Sequence, residues 1–162
     1  MRPRIGVVIV AALATSLASM SRAETLTVCG QRVNYQPTAT VPSGTSNLVG
    51  VWVGEIVAFN AAYSVDYSRC WALVIEDVDV SGAIKAQIAL ADNTKNLHNG
   101  TRYGTQGYVN PWLGQIDPGS STLHFISGDG KTSYELQRKG ASAMEGKVIY
   151  PNGTGRLSLA KQ

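Results

Sequence analysis

The sequence is poor in the residues that most often carry chemistry. Of 162 residues only two are cysteine and two are histidine. The histidines, His98 and His124, lie far apart and neither has a ligand-like neighbour at metal spacing, so no metal site and no cofactor is expected. The cysteines form no C-x-x-C, which removes the usual context of a reactive thiol. No serine stands in a G-x-S-x-G context. Gly128-Asp129-Gly130-Lys131-Thr132 has the ending of a phosphate loop, but Phe125 occupies the position where that loop needs its first glycine. The Asp-Gly pair there is a hairpin turn. These absences argue against an enzyme.

Long apolar runs are also missing. The one candidate, from Ile5 to about Leu17, is shorter than the ~20 residues that span a bilayer as a helix. It follows a basic Met1-Arg2-Pro3-Arg4 and precedes small residues at Ser21 and Ala23. That order predicts a signal peptide over 1–23, cleaved before Glu24, and a mature chain with no transmembrane segment. The expected destination is the periplasm or the exterior.

An excess of positive charge is missing too once that segment is removed. Arg2, Arg4 and Arg22 are three of the 14 basic residues and leave with it, so 11 basic residues face 11 acidic ones. Nucleic acid is therefore not an expected partner. In an oxidising compartment the lone cysteine pair, Cys29 and Cys70, is expected to form a disulfide.

No stretch of the mature chain carries an apolar stripe at helical period over three turns. What is present is β-prone. Residues 24–47 read as a short β-rich segment and a Pro/Thr/Ser/Gly-rich linker, tied by the disulfide to a domain over 48–162. Val51–Phe59, Cys70–Val78 and Ala83–Leu90 read as strands. The near-continuous apolar start of the second implies burial on both faces. Asn60–Arg69 and Asp92–Gly100 read as loops, and the next β-prone region is broken at Asn110-Pro111. From Gly119 onward, glycines at 119, 130, 140 and 153 separate short strands in a regular rhythm. Leu123/Phe125, Tyr134/Leu136, Met144/Val148/Tyr150 and Leu157/Leu159 each oppose polar neighbours, so every strand has one apolar and one wet face. The expected fold is all-β, an antiparallel up-and-down barrel of about eight strands, with a two-sheet β-sandwich as the alternative. Trp52, Leu73, Ile75, Leu123, Phe125, Leu136 and Leu157 are its expected core.

Three tryptophans and seven tyrosines remain. Tyr63, Tyr67, Tyr103, Tyr108 and Trp112 flank polar loops, where amphipathic rings either close the barrel end or bind a sugar or a small apolar ligand. Glu76, Asp77 and Asp79 suggest a cation site only until the EF-hand spacing is sought and not found. A solvated strand end before the Ser81-Gly82 turn is the simpler expectation. Asn99-Gly100-Thr101 and Asn152-Gly153-Thr154 match the glycosylation acceptor pattern but also read as turns.

Gly50-Val51-Trp52 at the head of the strand series resembles the GxW motif of the calycin group, the lipocalins and avidins. The resemblance implies a ligand-binding barrel, with Arg156 on the last strand stacked across Trp52. The spread Trp52-Val53-Gly54, Cys70-x-x-Leu73-x-x-Glu76 and Gly82 is similar to small exported bacterial domains of unknown role. Asn99-Gly100-x-Arg102-Tyr103 resembles the Ser-Gly-x-x-Tyr loop of periplasmic lysozyme inhibitors, with Asn in the place of the Ser. Two functions follow as expectations: a non-catalytic binding module for a small apolar or sugar-like molecule, or an interaction protein acting on a protein partner through the polar Asn93–Gly107 segment.

Overall fold

The computed structural model describes residues 23–38, 44–45, 47–60, 65–91, 97–98, 101–102, 107–117 and 119–162. The expected signal segment, apart from Ala23, lies outside these residues. Every regular element among those described is a β-strand: β1 (Glu24–Val28), β2 (Gln31–Tyr35), β3 (Gly50–Asn60), β4 (Val65–Val78), β5 (Ala83–Leu90), β6 (Leu97–His98), β7 (Thr101–Arg102), β8 (Tyr108–Asp117), β9 (Thr122–Ile126), β10 (Ser133–Lys139), β11 (Ala143–Tyr150) and β12 (Gly153–Lys161). Strands β3, β4, β5, β8, β9, β10, β11 and β12 form a closed antiparallel barrel in which chain neighbours are sheet neighbours. The barrel closes through β3 and β12, the first and last of the series, from Gly153↔Asn60 to Lys161↔Trp52. Closure leaves no free ladder at the ends of the meander. The barrel, and not the sandwich, is therefore the fold.

The interior follows the alternation of the strands. Trp52, Leu73, Ile75, Leu123, Phe125 and Leu136 have no measurable solvent exposure, and Leu157 has 2%. A second apolar cluster lies outside the barrel. Ala72, Val74 and Ala89 project outward from β4 and β5 and are covered by Val33 of the β1–β2 hairpin. This double burial is why β4 is apolar at every position from Cys70 to Ile75. The hairpin turns on Cys29 and Gly30, both with positive φ (51° and 74°), the backbone form a two-residue turn between right-twisted strands requires. A Cys29–Cys70 disulfide ties that turn to β4. Gln87 Nε2 adds a hydrogen bond of 2.6 Å to the Asn34 carbonyl.

Several local expectations change. Residues 65–69 belong to β4 instead of a loop, because β3 continues to Asn60 and pairs with them through Asn60↔Val65. β8 runs through Asn110-Pro111 unbroken. Its upper part pairs only with β5, since β9 joins it no higher than Gly114↔Phe125. Pro111 can then direct its missing N–H to the side where no strand accepts it. Glu76 is not a solvated strand end. It sits at the register shift between Ile75 and Asp77, is 5% exposed, and binds Lys85 Nζ at 3.0 Å and Gln87 Nε2 at 2.8 Å. Asp79 instead caps the β4–β5 turn, accepting from the Ser81 and Ala83 amides.

The cation over Trp52 is Lys161, not Arg156. Lys161 Nζ lies 5.3 Å from the Trp52 ring centroid and donates to the Asn47 carbonyl at 2.6 Å, while Trp52 Nε1 donates to the Leu48 carbonyl at 2.8 Å. Arg156 is opposite Val57, exposed on the outer face. It stands one residue off the inward alternation of β12, and five residues from the position beside Trp52, so it cannot reach the ring. Burial, and then the Arg138 charge, hold the Lys161 amine below the ordinary lysine range. A lowered amine pKa means the unfolded chain binds the proton more tightly, so this group's charging cost is present at neutral pH and relieved as pH rises toward 10.5. Lys161→Met, which keeps the stem, removes that charging cost but also the cation–π contact and the bond to the Asn47 carbonyl, and the lost contacts are expected to outweigh it by about 1 kcal/mol. An unchanged urea midpoint would show that Lys161 contributes nothing beyond its stem.

Three turns share a carboxylate device. Hydrogen bonds from Ser81, Ser120 and Ser127 are the main reason that Asp79, Asp117 and Asp129 respectively fall below the usual Asp value of 3.8. Their contribution is complete above that value and is lost as pH falls through the lower folded values. Thermal melts between pH 5 and about pH 2 are expected to decline mainly below pH 4, and less steeply in the triple Asp→Asn variant. Equal slopes in both proteins would overturn the assignment.

Candidate ligand site

One barrel end is closed by Trp52, Leu48 and Lys161. Toward the other, inward positions carry aromatic rings. Trp71 on β4 sits opposite Gly54 and Leu90. Gly54 has no side chain to compete for the interior, and the indole is fully buried. Tyr134 on β10 lies next, its ring centroid 5.3 Å from that of Trp71 with planes at 38°. Trp112 on β8 meets Tyr134 edge-on, at 5.2 Å and 80°. Edge-to-face pairs of this kind add roughly 0.5–1.5 kcal/mol beyond area burial. Tyr108, inward on β8 two turns of the pleat above Trp112, is half-buried against the same core. Arg69, inward on β4 above Trp71, is 8% exposed and directs Nε and Nη2 to the Ala91 carbonyl at 3.1 and 2.5 Å.

The polar bonding of this group is incomplete. Among the described residues, Trp71 Nε1 is buried without an acceptor. An indole nitrogen can only donate, and leaving a buried donor unmade costs about 1–3 kcal/mol.

The wall beside the rings is open. Above Gly114↔Phe125 the strands β8 and β9 part, leaving a space of about 420 Å³ bounded by Asn110, Pro111, Trp112 and Leu113 on one side and Ile126 and Ser127 on the other. Leu113 and Ile126 at its rim are 77% and 62% exposed. On the hairpin side of β8, a groove of about 650 Å³ runs between Asn34, Glu76, Gln87 and the same Pro111–Leu113 segment. A wider saddle of about 720 Å³ lies on the outer face of β10–β12 and β3. Its charges answer one another, with Lys147 Nζ 2.8 Å from Glu135, and Lys147 is the main reason the Glu135 carboxyl falls below its usual value. That face reads as solvated ion pairing.

Of the residues picked out by sequence, Tyr108 and Trp112 are brought together on one inward face of β8. Tyr67 lies on β4, with its side chain outside what is described, and Tyr63 and Tyr103 lie outside the described residues. So does most of the Asn93–Gly107 segment, of which the β6–β7 ladder, Leu97↔Arg102 and His98↔Thr101, is seen. Sequence reasoning did not select Trp71 and Tyr134, because alternation marks them only as inward. Their pairing with Trp112 comes from barrel closure. Among the described residues no three His, Cys, Asp or Glu side chains converge as a metal site, and no helix is long and apolar enough to cross a membrane. No protein-family model matches the chain, and no curated protein is significantly similar to it.

Proposed function

We propose that this chain is an exported, non-catalytic binding module that takes a small apolar or sugar-like ligand at the aromatic side of its barrel. The observation that carries the reading is the space of about 420 Å³ where β8 and β9 part, with the half-buried Trp112 in its wall. Small-molecule sites typically offer roughly 300 Å³ or more, lined by apolar and aromatic groups with few polar ones. The disulfide fits an oxidising compartment. An intact mass beginning at Glu24 is the corresponding expectation for the exported protein.

Native mass spectrometry of the protein purified from its own host, followed by tryptophan fluorescence titration, tests the reading. A retained small molecule, or quenching abolished by Trp112→Ala, supports it. If nothing is retained and Tyr108→Ala with Trp112→Ala leaves every binding screen unchanged, the reading is wrong. The second reading, an interaction protein, draws on Leu113 and Ile126, whose exposure at one rim offers two apolar anchors to a protein partner. Crosslinking from those two positions to a host protein would favour it.

A further inference from the structure

The unmade bond of Trp71 narrows the ligand. We infer that the aromatic side of the barrel receives a planar, ring-sized molecule carrying a hydrogen-bond acceptor, and that Trp71 Nε1 donates to that acceptor. This rests on the binding reading above and adds the chemical class.

The inference joins three observations. The Trp71 indole is fully buried and its N–H has no acceptor among the described residues. Elsewhere the same barrel satisfies this group, since the Trp52 N–H reaches the Leu48 carbonyl. From Trp71 the rings run outward without interruption, through Tyr134 at 5.3 Å to Trp112 at 5.2 Å, and Trp112 forms the wall of the space between β8 and β9. Trp112 and Tyr134 therefore stand between that space and the buried donor, and a guest reaches Trp71 Nε1 by displacing both rings. The chemistry of the walls sets the rest. Flat aromatic walls, tilted at Trp71–Tyr134 and edge-on at Trp112–Tyr134, favour a flat guest that can stack on or abut them. An indole nitrogen has no lone pair to accept a hydrogen bond, so a guest that can only donate leaves the bond unmade, whereas a ketone, ester or similar acceptor completes it.

Two probes of nearly equal shape separate the terms: acetophenone, which carries a carbonyl, and cumene, which carries none. Affinities are measured on the oxidised mature protein by fluorescence titration, while ¹⁵N-edited NMR follows the three tryptophan indole protons. Acetophenone is expected to bind about tenfold tighter than cumene, the difference a completed buried hydrogen bond produces. Its binding should move the Trp71 indole proton downfield. Trp71→Phe is expected to erase the preference while both probes still bind. Should that variant fail to fold, the indole shift in the unsubstituted protein decides the question. If both probes bind equally, or acetophenone binds without moving the Trp71 resonance, the acceptor class is wrong and the binding reading stands. If neither probe binds or shifts any indole, this ligand class and the aromatic site fall together.

Discussion

Gly54→Ala is expected to prevent the barrel from closing in its present form. A Cβ at Gly54 would stand 1.8 Å from the Ser158 carbonyl oxygen and 2.9 Å from the Leu159 Cα, both backbone atoms of β12. Side chains can rotate away from such a contact, whereas the backbone of a paired strand can yield only by breaking its ladder. The ladder at risk is β3–β12, which joins the first barrel strand to the last. Overpacking in a tight core costs about 1–3 kcal/mol and more where backbone must move, so a loss of about 3 kcal/mol or greater is expected. The measurement is a urea denaturation curve, with a hydrophobic dye as a probe of exposed core. Gly128→Ala is the control, because nothing lies within 4 Å of its Cβ position. Equal midpoints for the two variants would show that β12 accommodates the methyl group and that closure does not depend on this position.

Removal of the Cys29–Cys70 bond, by Cys→Ser at both positions, is expected to lower stability by about 4 kcal/mol on the chain-entropy treatment. The cysteines are 41 residues apart, and without the bond the unfolded chain regains the freedom of that loop. The native state also suffers, because the β1–β2 hairpin is held mainly by Val33 over Ala72, Val74 and Ala89, with Gln87 bonding the Asn34 carbonyl. Thermal unfolding by circular dichroism should show a decrease of roughly 10–20 °C. Protease sensitivity between the hairpin and β3 should rise earlier than sensitivity within the barrel, since eight strands close without the hairpin. Melting temperatures within about a degree of one another, with and without the bond, would contradict this.

Legibility in the sequence followed the range of the interaction concerned. The meander from β9 to β12 was readable because its turns are short and its strands alternate cleanly, so each hairpin announces itself locally. The run Cys70–Ile75 signalled two buried faces before it was known what covered the second. The errors arose where a partner at long range overrides the local signal. Asn60–Arg69 looks polar enough for a loop, yet its second half pairs with β3 and buries Arg69 against the Ala91 carbonyl. Pro111 looks like a break, but in a strand paired on one side it has nothing to break. Arg156 fits the calycin pattern by residue type, while the register of β12 puts Lys161 at the level of Trp52.

By itself the sequence determined the all-β class, the alternating faces of the C-terminal strands, the core residues and the cysteine pairing, since all of these rest on alternation, turn chemistry and an even cysteine count. Only the tertiary structure decided which rings meet, where β8 and β9 part, and that the Trp71 N–H is left without an acceptor among the described residues. Those features depend on the register between strands distant in sequence, and a one-residue slip would reverse them while leaving every local pattern intact.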